Sequence, residues 1–188
     1  TPTVITVPAG GKGSTPLKDN NGKDIGSLEI ASDGTFKFTP APAYDGSVPV
    51  ATYTISDGTA TATATLTFAP VPNAPPVAVN DGPIVTASNT TATGNVITPV
   101  NADDKADSDT DGDALTVTQF TVAGDATVYA IDAGSDDPST IATIPNVGSI
   151  KISADGSYTF TPDNGYDGPV PVITYTLSDG TATATASV

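Results

Sequence analysis

Between Gly26 and Ala64, apolar and polar residues alternate with a period of two. Phe36 and Phe38 fall on one face of a predicted strand, and Tyr53 and Ile55 on one face of the next. The alternation returns between Gly148 and Ala186, where Tyr158 with Phe160, and Tyr175 with Leu177, hold the corresponding positions. These alternating pairs are expected to supply the core. The stretch TATATATLTF, residues 59–68, sets Thr on one face and Ala, Leu66 and Phe68 on the other. It predicts a final strand with a solvated threonine face and shallow burial. Further strands are predicted over 95–98, 115–123, 126–131, 140–144, 149–153, 157–161 and 172–178. No apolar stripe of helical period has useful length, so the predicted class is all-β.

The two alternating stretches are copies of one another. Residues 26–64 align without gaps on 148–186, and 26 of 39 positions are identical at a fixed offset of 122. A repeat of that period marks a tandem array of domain-sized modules. Between the copies, FAPVPNAPPVAVNDGP reads as a stiff extended linker around Pro70 to Pro76. The expected domains are residues 1–72, a partial repeat, and 73–188, a complete one. If the second begins near Val77, the first lacks about 46 residues, including the counterpart of an Asp-rich window described below. Either the chain begins inside a repeat, or a strand from another chain completes the first domain.

Turn chemistry is repeated as well. Asp-Gly pairs at 33–34, 57–58, 155–156 and 179–180 suit two-residue turns with positive φ. Tyr44 and Tyr166, each in a YDG triplet, are candidate corner tyrosines that hydrogen-bond back to the chain.

Composition narrows the chemistry. The 188 residues carry a formal charge of -15, with no His, Cys, Met or Trp, which removes imidazole and thiolate catalysis. Twenty of the 21 carboxylates are Asp, a residue of turns and loops. Such acidity, with only six Lys, argues against nucleic acid or an anionic membrane as partner. There is no membrane-spanning run, signal peptide or initiating Met, so an internal piece of a longer protein is expected.

The charge gathers in DDKADSDTDGDALTV, residues 103–117. Within it Asp107, Asp109, Asp111, Gly112 and Asp113 spell D-x-D-x-D-G-D, the first half of a calcium loop, in which alternate side chains converge and Gly permits a sharp turn. The closing Glu of a helical calcium loop is absent, with Thr118 in its place. Further ligands must come from elsewhere, and Asp81, Asp103, Asp104 and Asp179 are the candidates. Alternating strand directions bring Asp81, the window and Asp179 to one pole of the second domain, facing the first across the linker. An ion there would set the angle between domains. Carboxylates ~4 Å apart repel by roughly 1 kcal/mol even in water, which favours a bound cation. An all-oxygen flexible site suits Ca2+ better than magnesium, and no soft ligand is present for zinc or copper.

The ordered set APPVAVNDGP, DSDTDGDALTV, GSIKISADGSYTFTPDNGYDG and ITYTLSDGTATA resembles the cadherin-like and bacterial immunoglobulin-like tandem repeats of giant repeats-in-toxin adhesins. The resemblance covers nearly all of the second unit and the last two thirds of the first. It implies tandem Greek-key β-sandwiches, calcium at or near domain junctions, type I secretion and an extracellular place on the bacterial surface. It also implies a role as extender between a cell-anchored end and a ligand-binding end, as in cell adhesion and biofilm formation. The short first unit puts in doubt any calcium site built on that domain's own loops. The leading expectation is therefore a non-enzymatic, calcium-stiffened extender whose partners are neighbouring repeats of the same chain. Two other classes compete: a fibre subunit in which identical chains complete one another's first domain by strand addition, and a glycan- or peptide-binding module, which the few aromatics and absent Trp disfavour. An enzyme is the weakest class, because the paired carboxylates crowd one loop.

Overall fold

The computed structural model describes residues 5–19, 21–102, 104–135 and 137–188. Among them there is no helix, and every sheet is antiparallel. The chain divides into two units, Thr1–Asn73 and Ala74–Val188.

In unit 1, β1 (Lys12–Lys18), β2 (Asp24–Ala31) and β3 (Phe36–Pro40) form a three-stranded sheet in that order, while β4 (Ala51–Ser56) and β5 (Thr61–Leu66) form a separate hairpin. Its buried apolar side chains are Ile25 and Leu28 of β2 together with Tyr44 and Val48. Phe68 meets Phe36 edge-on at 5.9 Å and Phe38 at 5.5 Å.

Unit 2 is a sandwich of two four-stranded sheets. One sheet runs β6 (Ala92–Asn95), β11 (Ser157–Pro162), β10 (Gly148–Ser153), β9 (Ser139–Ile144). The other runs β13 (Thr183–Ser187), β12 (Ile173–Ser178), β7 (Thr116–Val122), β8 (Tyr129–Ala130). The long connections that set β6 beside β11 and β7 beside β12 are of Greek-key type. Both inner faces meet in one core, with Ile150, Ile152 and Phe160 from the first sheet and Val96 just after β6 joining Val117, Phe120, Tyr175 and Leu177 from the second. The chain is an all-β immunoglobulin-like sandwich protein.

Several expectations change on contact with the structure. The predicted strand over 95–98 is displaced to β6, because Asn95 Oδ1 accepts the N–H groups of Ile97 and Thr98 and closes a turn there. The strand over 126–131 shrinks to β8, since the Asp125 carboxylate accepts from Thr127 N–H and the Tyr129 hydroxyl and takes up its first half as a turn. The Asp-Gly connections are wider than two residues: Ser56 pairs with Thr61 and Ser178 with Thr183. Asp57 and Asp179 each bind two backbone N–H groups of the loop, and that satisfies the extra residues. Positive φ falls on Gly34, Gly58, Gly156 and Gly180. The corner tyrosines bond forward, Tyr44 to Ser47 O at 2.5 Å and Tyr166 to Pro169 O at 2.6 Å. Gly26 and Gly148, equivalent in the repeat, have φ of 129° and 151°, and a Cβ there would strike Thr39 O and Thr161 O.

The core expectation holds in unit 2 and fails in part in unit 1. Tyr158, Phe160, Tyr175 and Leu177 are 6%, 0%, 0% and 0% exposed, but Phe36, Tyr53 and Ile55 are 53%, 38% and 62% exposed. β11 and β12 are flanked by β6 and β7, and among the described residues β3 and β4 have no such neighbour. Alternation chooses the inward face, but a second layer must exist to bury it. Leu177→Ala is therefore expected to destabilise unit 2 by about 2–5 kcal/mol, and the equivalent Ile55→Ala to change unit 1 by less than about 0.5 kcal/mol. Urea denaturation read by amide exchange within each unit measures both.

Candidate metal centre

The first segment of unit 2 and the acidic window lie side by side and antiparallel. Ala74 N–H donates to Asp111 Oδ2 at 2.6 Å, Val77 and Ser108 exchange both backbone hydrogen bonds, Val79 N–H donates to Asp107 Oδ1 at 2.7 Å, and Lys105 N–H donates to Asp81 Oδ1 at 2.7 Å. Three of these rungs use a carboxylate where a sheet would use a carbonyl. Hydrogen bonds to ionised acceptors are the stronger kind, and the run fixes the window residue by residue.

At the end nearest β7, the Asp109 side chain organises the turn. Its Oδ1 accepts N–H groups from Asp111, Gly112 and Asp113 at 2.8, 2.9 and 3.1 Å. Gly112 takes φ of 85° with open space where a Cβ would point, so backbone conformation alone selects glycine there. The turn brings one carboxylate oxygen each from Asp109, Asp111 and Asp113 within 4.8 Å of one another. Oxygens bound to one Ca2+ at about 2.4 Å lie no more than roughly 4.8 Å apart, so the three fit a single ion. The second oxygen of Asp109 is buried without a hydrogen bond, a costly state for a carboxylate unless a cation takes it.

Asp107 stands apart from this group. It is 9% exposed, with Oδ1 on Val79 N–H and Oδ2 receiving the Tyr175 hydroxyl at 3.0 Å. That hydroxyl also lies 3.1 Å from Val96 O and 3.2 Å from Val79 O. Burial pushes the Asp107 carboxyl up from its ordinary value. Asp104, 8% exposed, accepts Val100 and Asn101 N–H through Oδ2. Asp81 completes this second cluster, its Oδ2 buried without a hydrogen bond. Burial, followed by the charges of Asp104 and Asp107, raises Asp81 to about 6 against the pull of Lys105 N–H. Burial and the same carboxylates raise Tyr158 and Tyr175.

The eight sequence candidates thus fall into separate places. Asp109, Asp111 and Asp113 converge; Asp81, Asp104 and Asp107 form a second group; Asp103 lies outside the described residues. Asp179 follows Ser178, which pairs with Thr116 at the mouth of β7, and its Oδ1 accepts from Thr181 and Ala182 N–H in the β12–β13 turn. Asp81 is bonded instead to Ser187, whose partner on β12 is Thr174. About 16 Å of strand separates those two levels at ~3.3 Å per residue, so Asp81 and Asp179 do not share one pole. Two residues carry the site without having been expected to: Tyr175, which reads only as core, and Asn80, whose Oδ1 accepts the Ser187 N–H and hydroxyl and anchors the first segment to β13.

The chain matches the bacterial Ig domain over residues 3–69 and again over 73–188. It belongs to that family. No curated protein and no solved structure matches it. The bacterial Ig domain is typically non-enzymatic and often occurs as a repeat in surface or extracellular proteins. Among the described residues no helix is long and apolar enough to cross a membrane. In this bacterial Ig domain the acidic window therefore serves two ends, securing the first segment and presenting converging carboxylates.

Two outcomes follow for the metal-free protein. Asp107→Ala leaves Val79 N–H and the Tyr175 hydroxyl without their acceptor and is expected to cost about 1–3 kcal/mol in urea denaturation with chelator present. Asp81, raised in the folded state, binds its proton more tightly folded than unfolded. Its contribution is fully present below pH ~4 and is lost as pH rises towards 6. Asp81→Asn should flatten the decline of stability across that window, measured in chelator from pH 4 to 6.5.

Proposed function

We propose that these two bacterial Ig repeats are calcium-stiffened extender modules of a repeats-in-toxin surface adhesin. The observation that carries the reading is the convergence of Asp109, Asp111 and Asp113 beside the buried, unbonded Oδ2 of Asp109. All three are hard oxygen donors on a loop without His or Cys, which suits Ca2+. Remaining coordination positions go to backbone carbonyls and water, as in other calcium loops.

The mechanical consequence runs through Ala74. Its N–H is held by Asp111, and it is followed by Pro75 and Pro76, so the stiff linker enters unit 2 on a residue tied to an ion ligand. In the absence of a cation the three carboxylates repel, and the loop that grips Ala74 loosens. With Ca2+ bound, the loop and the linker's end become one ordered piece. A repeat that is loose at low cytosolic calcium and ordered outside the cell suits an exported adhesin, in which many such modules hold a distal binding domain away from the surface. Asp81, Asp104 and Asp107 serve the same end as hydrogen-bond acceptors, and Asp179 as a turn cap.

A thermal melt with calcium against chelator tests the reading. Millimolar Ca2+ is expected to raise the melting temperature of unit 2 by several degrees, since an ion at a hundred times its dissociation constant adds about 2.7 kcal/mol. Asp109→Asn and Asp111→Asn should each abolish most of that rise, and magnesium should give little of it. X-ray scattering of the full chain should show a longer, less variable particle with calcium. No change in melting or in scattering would sink the proposal.

A further inference from the structure

A cleft of about 260 Å³ opens at the β6 edge of unit 2, lined by Pro83, Val85, Ala92, Asn101, Asp104 and Tyr158 among others. Neither the core nor the converging loop uses it. Tyr158 lies on β11 opposite Gly94 of β6, where a Cβ would strike the tyrosine ring and hydroxyl. The missing side chain at Gly94 lets Tyr158 pass over the edge strand, and its end reaches the cleft. The residue is 6% exposed, yet its hydroxyl makes no hydrogen bond among the described residues. Buried tyrosine hydroxyls ordinarily have a partner. Burial, followed by the charges of Asp104 and Asp81, raises this hydroxyl, so it keeps its proton. The repeat carries Phe36 at the equivalent position, so a strand of this class forms with the ring and without the hydroxyl.

Asp104, 8% exposed, gives Oδ2 to the N–H groups of Val100 and Asn101 at 3.1 and 2.8 Å, and its Oδ1 takes no hydrogen bond among the described residues. Asn101 donates Nδ2 to Thr93 O at 3.3 Å, which leaves its Oδ1 as an acceptor. Asp81 stands close enough to feel the charge of Asp104, and Lys105, the cation beside Asp81, does not line the cleft. The cleft therefore offers acceptor oxygens and negative charge against apolar walls, one of them the 78% exposed Val85.

The fitting ligand follows from that inventory. A primary ammonium has three donors, no acceptor and a matching charge, and its methylene stem settles on apolar surface as lysine stems do. An anion is repelled by Asp104. A sugar needs donors for its own oxygens and a ring face to stack on, whereas Nδ2 of Asn101 is taken and the Tyr158 ring is sealed. A metal ion finds one carboxylate here and three at the converging loop. We propose that this cleft binds a primary ammonium group on an aliphatic stem, with Asp104 Oδ1, Tyr158 Oη and Asn101 Oδ1 as acceptors and Pro83 and Val85 along the stem. A free alkylamine and a lysine side chain of a partner protein share this chemistry. The site belongs to unit 2 alone and does not depend on an ion at Asp109.

The full chain, in chelator and at fixed ionic strength, is titrated with n-butylammonium and with Nα-acetyl-lysine methylamide, read by backbone amide shifts. Saturable shifts at Val85, Asn101 and Asp104 are expected, with a dissociation constant on the order of millimolar. The tighter of the two probes names the source, a free amine or a lysine side chain. Tyr158→Phe, the residue the repeat itself carries, should weaken binding by roughly tenfold and leave the thermal melt as it was. Asp104→Asn should weaken it further, and n-butanol should shift nothing. The proposal is overturned by an absence of saturable shifts with either amine, an equal response to n-butanol, shifts confined to residues 109–113, or undiminished binding in Tyr158→Phe.

Discussion

Everything distinctive in unit 2 depends on carboxylates doing the work of backbone carbonyls. Between residues 74–81 and 105–111, Asp81, Asp107 and Asp111 each accept a main-chain N–H across the pair, and Asp109 accepts three from its own turn. An acidic loop free in solvent relieves repulsion by spreading its side chains. These are pinned by the hydrogen bonds that give the first segment its register, so the repulsion is built into the fold. Three unit charges at separations up to 4.8 Å cost on the order of 1 kcal/mol per pair in water and several times that at the lower effective dielectric near a protein surface. The arrangement is tolerable because charge-assisted hydrogen bonds to Asp109 and Asp111 offset part of the repulsion.

The two copies separate what local sequence decides from what it does not. Strand positions, inward faces and Asp-Gly loops are shared, because they follow from alternation, turn chemistry and glycine geometry within a few residues. Burial is not shared: Tyr175 and Leu177 are sealed where Tyr53 and Ile55 are open. The reason lies at β6 and β7, more than fifty residues from β12 in sequence, so no reading of the local pattern in unit 1 reveals it.

The acidic window was legible to the same degree. The spacing D-x-D-x-D-G-D pointed to a converging loop, and the structure converges its last three Asp. Its first member turns inward because Val79 N–H and the Tyr175 hydroxyl, 28 and 68 residues away, take both oxygens. Spacing alone cannot distinguish an aspartate reserved for an ion from one reserved for a main-chain amide. Asp179 illustrates the same ambiguity, since the Asp-Gly turn it caps would also explain it. Strand counting misplaced Asp81 because the first segment runs down beside the window towards Ser187 rather than pausing at the upper end.

Charge is divided as unevenly as burial. Four of the six Lys lie in unit 1 with six of the 21 carboxylates, and the remaining fifteen carboxylates share unit 2 with Lys105 and Lys151. Simple salt reduces the long-range part of that repulsion, because the screening length at physiological ionic strength is ~8 Å. It does little at the convergence of Asp109, Asp111 and Asp113, where the oxygens stand closer together than a screening length. On the proposed function, relief at that spot comes from a cation bound in place, with enough charge to offset several carboxylates at once and enough coordination freedom to accept the geometry the turn dictates. That requirement distinguishes a divalent oxygen-seeking ion from the general ionic atmosphere, and it links the unit's excess charge to a single loop beside the linker.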